Sequence, residues 1–207
     1  MDPKTSGLSV AVPLFFTDKE YAIVQAACAR LIPTDEDPGA TEAGVRIAAE
    51  GGVASIEHAY TASTEALQLM KKKGVYLVGT DFSRSASEAM GMADYHQKVV
   101  ERLKRARAVG VLIAYGTDIV FPAAGETRGT LSIGGIESFQ EAGYTAPEIL
   151  RSMTTSAAKL LGVDGQRGAI RPGMAADIVA VPGDPLADAS VLRRVSFVMK
   201  DGKIIKR

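Results

Sequence analysis

Three short apolar runs, each ending in polar residues and separated by helix-patterned stretches, constrain this chain more than any other feature. Val53 to Glu57 ends at His58, Val75 to Val78 runs into Thr80-Asp81, and Val111 to Tyr115 runs into Gly116-Thr117-Asp118. Between the first two lies Thr64 to Lys73, with Ser63 placed to cap it and Gly74 to stop it. Between the second and third lies a helical stretch from about Ser85 to Val109, loosened at Gly91 and closed by Gly110. Val99, Leu103 and Ala106 form its apolar stripe. Strand, helix, strand, helix, strand predicts a parallel sheet covered by helices. Strands that are apolar throughout, rather than alternating, predict cover on both faces. In such folds chemistry collects beyond the C-terminal strand ends, which makes His58, Thr80, Asp81, Thr117 and Asp118 the first residues to weigh.

The flanks fill in the organisation. Leu8 to Phe16 reads as an edge or bulged strand because Pro13 interrupts it. Thr17 and Glu20 stand at capping-box spacing ahead of a helix to about Arg30. Pro33 to Gly39 is turn chemistry carrying Asp35, Glu36 and Asp37, and a helix follows from about Thr41 to Glu50. Beyond Asp118 a loop rich in Gly and Pro (Phe121 to Gly129) leads to helices at about Ile133 to Ala142 and Ala146 to Arg151. Thr154 or Thr155 caps a further helix ending at Leu161-Gly162. From Gly168 the pattern turns to β: Ala176 to Val181, Val195 to Lys200, then Asp201-Gly202 as a type I′ turn into Lys203 to Lys206.

Composition removes several classes of function. The 207 residues carry 24 Lys+Arg and 24 Asp+Glu, so the electrostatic footprint of a nucleic-acid or anionic-membrane binder is missing. No apolar run approaches the ~18–20 residues of a membrane span. No basic segment precedes Leu8 to Phe16, so no signal peptide is expected and a cytoplasmic location is the default. The single cysteine, Cys28, rules out an internal disulfide framework, and it has no positioned histidine that would make it a nucleophile. Neither GxGxxG nor a P-loop occurs, which ranks a doubly wound nucleotide-binding protein last. There are two histidines, so metal or acid–base chemistry must lean on carboxylates.

Four segments, in order, carry a resemblance. Ser55-Ile56-Glu57-His58-Ala59-Tyr60, Tyr115-Gly116-Thr117-Asp118, Thr155 to Gly162 (TSAAKLLG) and Gly168 to Val179 (GAIRPGMAADIV) together resemble the metal-dependent amidohydrolase superfamily, in its imidazolonepropionase-like and Xaa-Pro dipeptidase-like branch. The resemblance covers most of the chain from about Thr17. It implies a TIM-like (β/α)8 barrel with one or two divalent metals at the C-terminal ends of its strands. Zinc is the expected ion, with manganese or magnesium as alternatives. His58 matches the metal-binding histidine of strand six, and Asp118 matches the aspartate of strand eight, which is both ligand and general base. Apart from the resemblance, Tyr60, two residues past His58, is a candidate for lining a substrate pocket.

The departures from the family pattern are equally informative. No His-x-His pair occurs, and the window from Arg30 to Ser55, where another histidine ligand belongs, holds Asp35-Glu36-Asp37 instead. Residues 1–162 fall short of the ~200–250 that a (β/α)8 barrel needs. The resemblance therefore implies an α/β fold that is the C-terminal part of such a barrel, incomplete, in residues 1–162. Residues 163–207 would be the C-terminal β segment of a composite β-sandwich. The implied function is hydrolysis of an amide, cyclic amide or peptide C–N bond by metal-activated water. The alternative is a non-catalytic remnant or interaction module that needs another chain, a second copy or a complementary half-barrel, to cover its open edges.

Each candidate also has a plainer reading. Asp118 is equally a loop or capping aspartate, and His58 a half-buried histidine with both nitrogens bonded. Asp81 and Thr80 touch substrate or cap the following helix. Tyr60 is a pocket wall or a packed aromatic. Asp35 to Asp37 are hard oxygen ligands or a solvated turn. Glu126 and Arg128 read as loop polarity, and His96, among Asp94, Gln97 and Lys98, reads as solvent-facing.

Overall fold

A computed structural model describes residues 42–119 and 125–207. The expected strand at Leu8 to Phe16, the capping box at Thr17, the acidic turn at Asp35 to Asp37, and Cys28 all lie outside the described residues. The chain enters through α1 (Glu42–Glu50), β1 (Ser55–Glu57), α2 (Thr64–Lys73) and β2 (Tyr76–Val78). It continues through α3 (Arg84–Ala89), α4 (Ala93–Val109) and β3 (Leu112–Ile113). The three strands pair in parallel in the order β1-β2-β3, with Ile56 beside Leu77 and Leu77 beside Ile113.

Local chemistry explains the element ends. Ser63 accepts the Ala66 amide at 3.1 Å and is itself held by Glu42, whose carboxylate accepts the Ser63 amide and hydroxyl at 2.7 Å each. One carboxylate thereby ties the first turn of α1 to the cap of α2. Gly74 and Gly110 close α2 and α4 in the left-handed conformation, as their positions predict. The stretch expected as one helix from Ser85 to Val109 is two: Gly91, at φ 74°, separates α3 from α4. Ser83, not Thr80 or Asp81, caps α3.

The row Ile56, Leu77 and Ile113 packs under helices, in a core shared with Val45, Leu67, Met70 and Ala106. The opposite row does not have the cover expected from apolar strands. Tyr76 is buried, but Glu57 is exposed and Leu112 is 43% exposed. The stripe Val99, Leu103 and Ala106 is fully buried, as its spacing predicts, and bridges two cores.

The second core is helical. It takes in α5 (Arg128–Gly134), α6 (Ile136–Glu141), α7 (Ala146–Met153) and α8 (Thr155–Leu160). The single helix expected at Ile133 to Ala142 is divided between α5 and α6 at Gly135. Arg128 is more than loop polarity, since it starts α5 and donates twice to the Ile119 carbonyl, at 2.9 and 3.1 Å. Thr154 does not cap α8 with its side chain; its hydroxyl donates back to Leu150 at 2.6 Å. His96 is not solvent-facing: it is fully buried on α4. Four-residue spacing along α4 puts it with Val99, Val100 and Leu103 rather than with its charged sequence neighbours.

The C-terminal part contains an antiparallel sheet of β4 (Ile178–Ala180), β5 (Phe197–Lys200) and β6 (Lys203–Lys206). Asp201 and Gly202 both have positive φ, the type I′ signature expected of that pair. A short 3-10 helix, Ala189–Arg194, buries Ala189 and Leu192 against Ile136, Phe139 and Ile149.

Asp177 ties this sheet together. It accepts from Lys200 and from the Asp201 amide, at 2.8 Å each, and from Arg167. Lys200, the Asp201 amide and Arg167 hold its carboxyl well below the usual carboxylate range. A depressed carboxylate contributes stability above its ordinary pKa and loses it as pH falls through the folded value. Below about pH 4 the parent chain is therefore expected to lose stability more steeply than Asp177→Asn, measured by urea unfolding at descending pH. Equal slopes would contradict the assignment.

Candidate active site

A left-handed residue follows each parallel strand: His58 (φ 61°) one residue past β1, Thr80 (φ 56°) two past β2, and Asp118 (φ 43°) five past β3. For a β-branched residue such as Thr80 this is a rare conformation, costing on the order of 1–3 kcal/mol. It persists where surrounding contacts over-determine it. The ladder supplies some of them: the His58 amide donates to Val78 at 3.0 Å, and the Ala114 amide to Leu77 at 3.1 Å.

Arg102 supplies the rest. Its guanidinium, reaching from α4, is fully buried and donates through Nη2 to Asp81 Oδ1 at 2.6 Å. Nη1 donates to the His58 carbonyl, and at 3.4 Å to the Gly79 carbonyl. Both left-handed exits, from β1 and β2, are thus held by one cation, while Tyr60 lies against its face at 5.5 Å. Gly79 is required by this packing. A Cβ there would overlap the Asp81 carboxylate and come within 2.5 Å of Arg102 Nη2.

His58 is oriented through Nδ1, which lies 2.5 Å from Thr80 Oγ1 and 2.9 Å from the Tyr60 hydroxyl. The Thr80 hydroxyl also lies 2.6 Å from the Gly79 carbonyl, to which it donates. Tyr95 donates to Tyr60 at 2.6 Å. Both side-chain contacts of the imidazole fall on Nδ1 and fix the ring's orientation, which leaves Nε2 as the nitrogen turned away from them. Burial pushes the Tyr60 hydroxyl upward and that of Tyr95 much further, so both phenols keep their protons at working pH. Burial acts likewise on Tyr115, whose hydroxyl donates to Ser132 at 2.7 Å.

The structure places the sequence-derived candidates on one sheet edge, in the order His58, Thr80-Asp81, Asp118. His58 is half-buried and Asp118 exposed. They leave strands two apart in the sheet, and by the ladder register Asp118 lies three residues beyond the level of His58. Tyr60 joins His58 through its hydroxyl. Thr80 and Asp81 are buried and serve as supports for the imidazole and for Arg102. Glu126 is exposed in the loop before α5. The spacing argument missed Arg102 and Tyr95. The available signal was polarity inside an apolar face, because both lie on the side of α4 that also presents Val99, Leu103 and Ala106.

Residues 10–205 match the model of the amidohydrolase family. The ochratoxinase of Aspergillus niger is 31% identical, over 80% of this chain and 36% of its own length. The crystal structure of a Xaa-Pro dipeptidase with methionine bound in its active site superposes with a TM-score of 0.69 at 32% identity. That superposition covers 80% of this chain and 43% of the dipeptidase. A second crystal structure, of an amidohydrolase, gives a TM-score of 0.72 at 27% identity, over 81% of this chain and 43% of its own. The chain thus spans between a third and a half of the length of these relatives.

Removing one partner of the Arg102–Asp81 pair leaves an uncompensated buried charge, which costs about 3–5 kcal/mol. Arg102→Met alone should therefore destabilise the chain by that amount in urea unfolding. Arg102→Met combined with Asp81→Leu should recover part of the loss, although the His58 and Gly79 carbonyls stay unpaired. A double variant less stable than the single one would show that the pair is not the clamp.

Proposed function

The chain belongs to the amidohydrolase family, and from that premise we propose that it takes part in hydrolysing an amide, cyclic amide or peptide C–N bond, with His58 and Asp118 holding a divalent cation. The observation that carries this reading is the orientation of His58. Its Nδ1 is held by the Thr80 and Tyr60 hydroxyls, so Nε2 is the nitrogen available at the edge where Asp118 also lies. An imidazole and a carboxylate suit zinc, with manganese or magnesium as alternatives. The bound cation supplies Lewis acidity toward a carbonyl oxygen and lowers the pKa of water.

The side chains have separate tasks. Asp118, exposed and on a loop leaving β3, takes the proton from the attacking water and delivers it to the leaving nitrogen. Thr80 and Tyr60 keep the imidazole in one orientation. Arg102 holds the backbone on which His58 is mounted. The Xaa-Pro dipeptidase likeness makes a dipeptide or an N-acyl amino acid the first substrate class to test. Catalytic zinc usually retains three protein ligands. His58 and Asp118 supply two, so a further ligand comes from outside the described residues or from another chain.

In this reading residues 1–162 are part of a (β/α) barrel and residues 163–207 part of a β-sandwich. The half-open row at Glu57 and Leu112 faces the barrel interior, covered by a second copy or a complementary half-barrel. The same row also favours the second reading, an interaction module without activity of its own.

With Zn2+ or Mn2+ supplied, the 207-residue chain should hydrolyse Xaa-Pro dipeptides or N-acyl amino acids, and a chelator should abolish turnover. Asp118→Asn should lower kcat/KM by about 10²–10⁴-fold with an unchanged circular dichroism spectrum. A metal-loaded oligomer inert toward the whole set would overturn the enzyme reading and leave the module.

A further inference from the structure

His96 has no part in the strand-edge site, and its environment is unusual. It is fully buried on α4, yet neither ring nitrogen has a hydrogen-bond partner among the described residues. Its Nε2 lies 3.2 Å from Glu141 Oε2, close but outside hydrogen-bond alignment. Glu137 and Glu141 are one helical turn apart on α6 and so share a face. One ligand atom from each of His96, Glu137 and Glu141 falls within 4.8 Å of the other two. A buried imidazole with two unsatisfied nitrogens costs free energy unless something occupies the space before it.

We propose that His96, Glu137 and Glu141 form a second cation site, for a divalent transition metal, pinning α4 to α6. One nitrogen and two carboxylate oxygens are the donor chemistry of Zn2+, Mn2+ or Co2+, and the imidazole disfavours Ca2+ and Mg2+. Zinc–ligand bonds near 2.0–2.2 Å require the donors to close in by about an ångström, a movement that the half-open glutamates can make. Burial on the His96 side and exposure on the Glu141 side leave room for water to complete the shell.

Two arginines now balance the carboxylates. Arg84 donates to both Glu141 oxygens, at 2.9 and 3.1 Å, and Arg193 lies 4.0 Å from Glu137. Both are nearly half exposed, so they can turn outward into water when a cation takes their place. The Arg84 amide also donates to Glu137 at 3.3 Å, which orients the carboxylate without adding mobile charge.

The test is Co2+ and Zn2+ titration of the metal-free 207-residue chain, read by calorimetry and by the visible absorption of bound Co2+. A His58→Ala/Asp118→Asn background removes the strand-edge donors and isolates this site. That background is expected to retain one equivalent and to gain thermal stability with added metal. His96→Gln should abolish the remaining equivalent. Because a buried substitution can unfold the chain, Glu137→Gln/Glu141→Gln, on the accessible side, is the second variant, with binding expected to weaken at least tenfold. Loss of all binding in the background chain, or binding unchanged by the glutamate pair, would overturn the proposal and leave His96 as the partner of a plain ion pair with Glu141.

Discussion

A guanidinium with no solvent exposure is expensive to bury, and the arrangement around Arg102 shows what it accomplishes. The Asp81 carboxylate neutralises it through Nη2, and the carbonyls of His58 and Gly79 accept from Nη1. Those carbonyls belong to the exits of β1 and β2, so one side chain on α4 fixes the turns through which both strands leave the sheet. A hydrophobic residue of similar volume could fill the space, and buried ion pairs are weak evidence for stability. It could not direct two carbonyls at once. The value of the pair therefore lies in geometry, in holding a strained backbone rather than in adding net stability.

That strain explains why functional groups and unusual conformations coincide here. His58, Ala59 and Thr80 adopt left-handed backbones without being glycine. A turn of this kind throws the side chain off the strand direction and across the sheet edge, bringing Thr80 Oγ1 to the imidazole of the neighbouring strand. Had Thr80 continued as ordinary strand, its hydroxyl would lie along the ladder. Strain, the Arg102 clamp and the orientation of His58 are thus three consequences of one local arrangement.

How much of this was legible in the sequence depended on whether a feature was local. Caps such as Ser63 and Gly74, the Asp201-Gly202 turn and the three parallel strands follow from short-range rules, and they appear as expected. Placing His58, Thr80-Asp81 and Asp118 on one edge needed only strand direction. What failed was the side-chain partner. His96 looked solvated because Asp94, Gln97 and Lys98 surround it in sequence, but on a helix its neighbours are three and four residues away. Asp81 looked like a cap because Arg102 lies 21 residues further along the chain. The loosening expected at Gly91 is a full break, and the break at Gly135 has no signal of its own, because a glycine inside a helical pattern is tolerated or terminating according to tertiary packing. At Gly135 that packing is visible: a Cβ would come within 2.8 Å of the Tyr115 hydroxyl.

The identity of the groups behind His58 has a chemical consequence. Metal-binding histidines often donate their second N–H to a carboxylate, which makes the ligating nitrogen more basic and tightens the bond. Here Nδ1 faces the Thr80 and Tyr60 hydroxyls, with Tyr95 behind Tyr60, and all three groups are neutral because burial keeps the phenols protonated. The one nearby carboxylate, Asp81, is already paired with Arg102. His58 thus gains orientation without added basicity. Under the proposed cation role, the charge that attracts the cation would come from carboxylates on the open side, and among the described residues Asp118 is an exposed one at this edge. Its exposure fits that proposal, since a carboxylate that both holds a cation and accepts a proton works best where water can reach it.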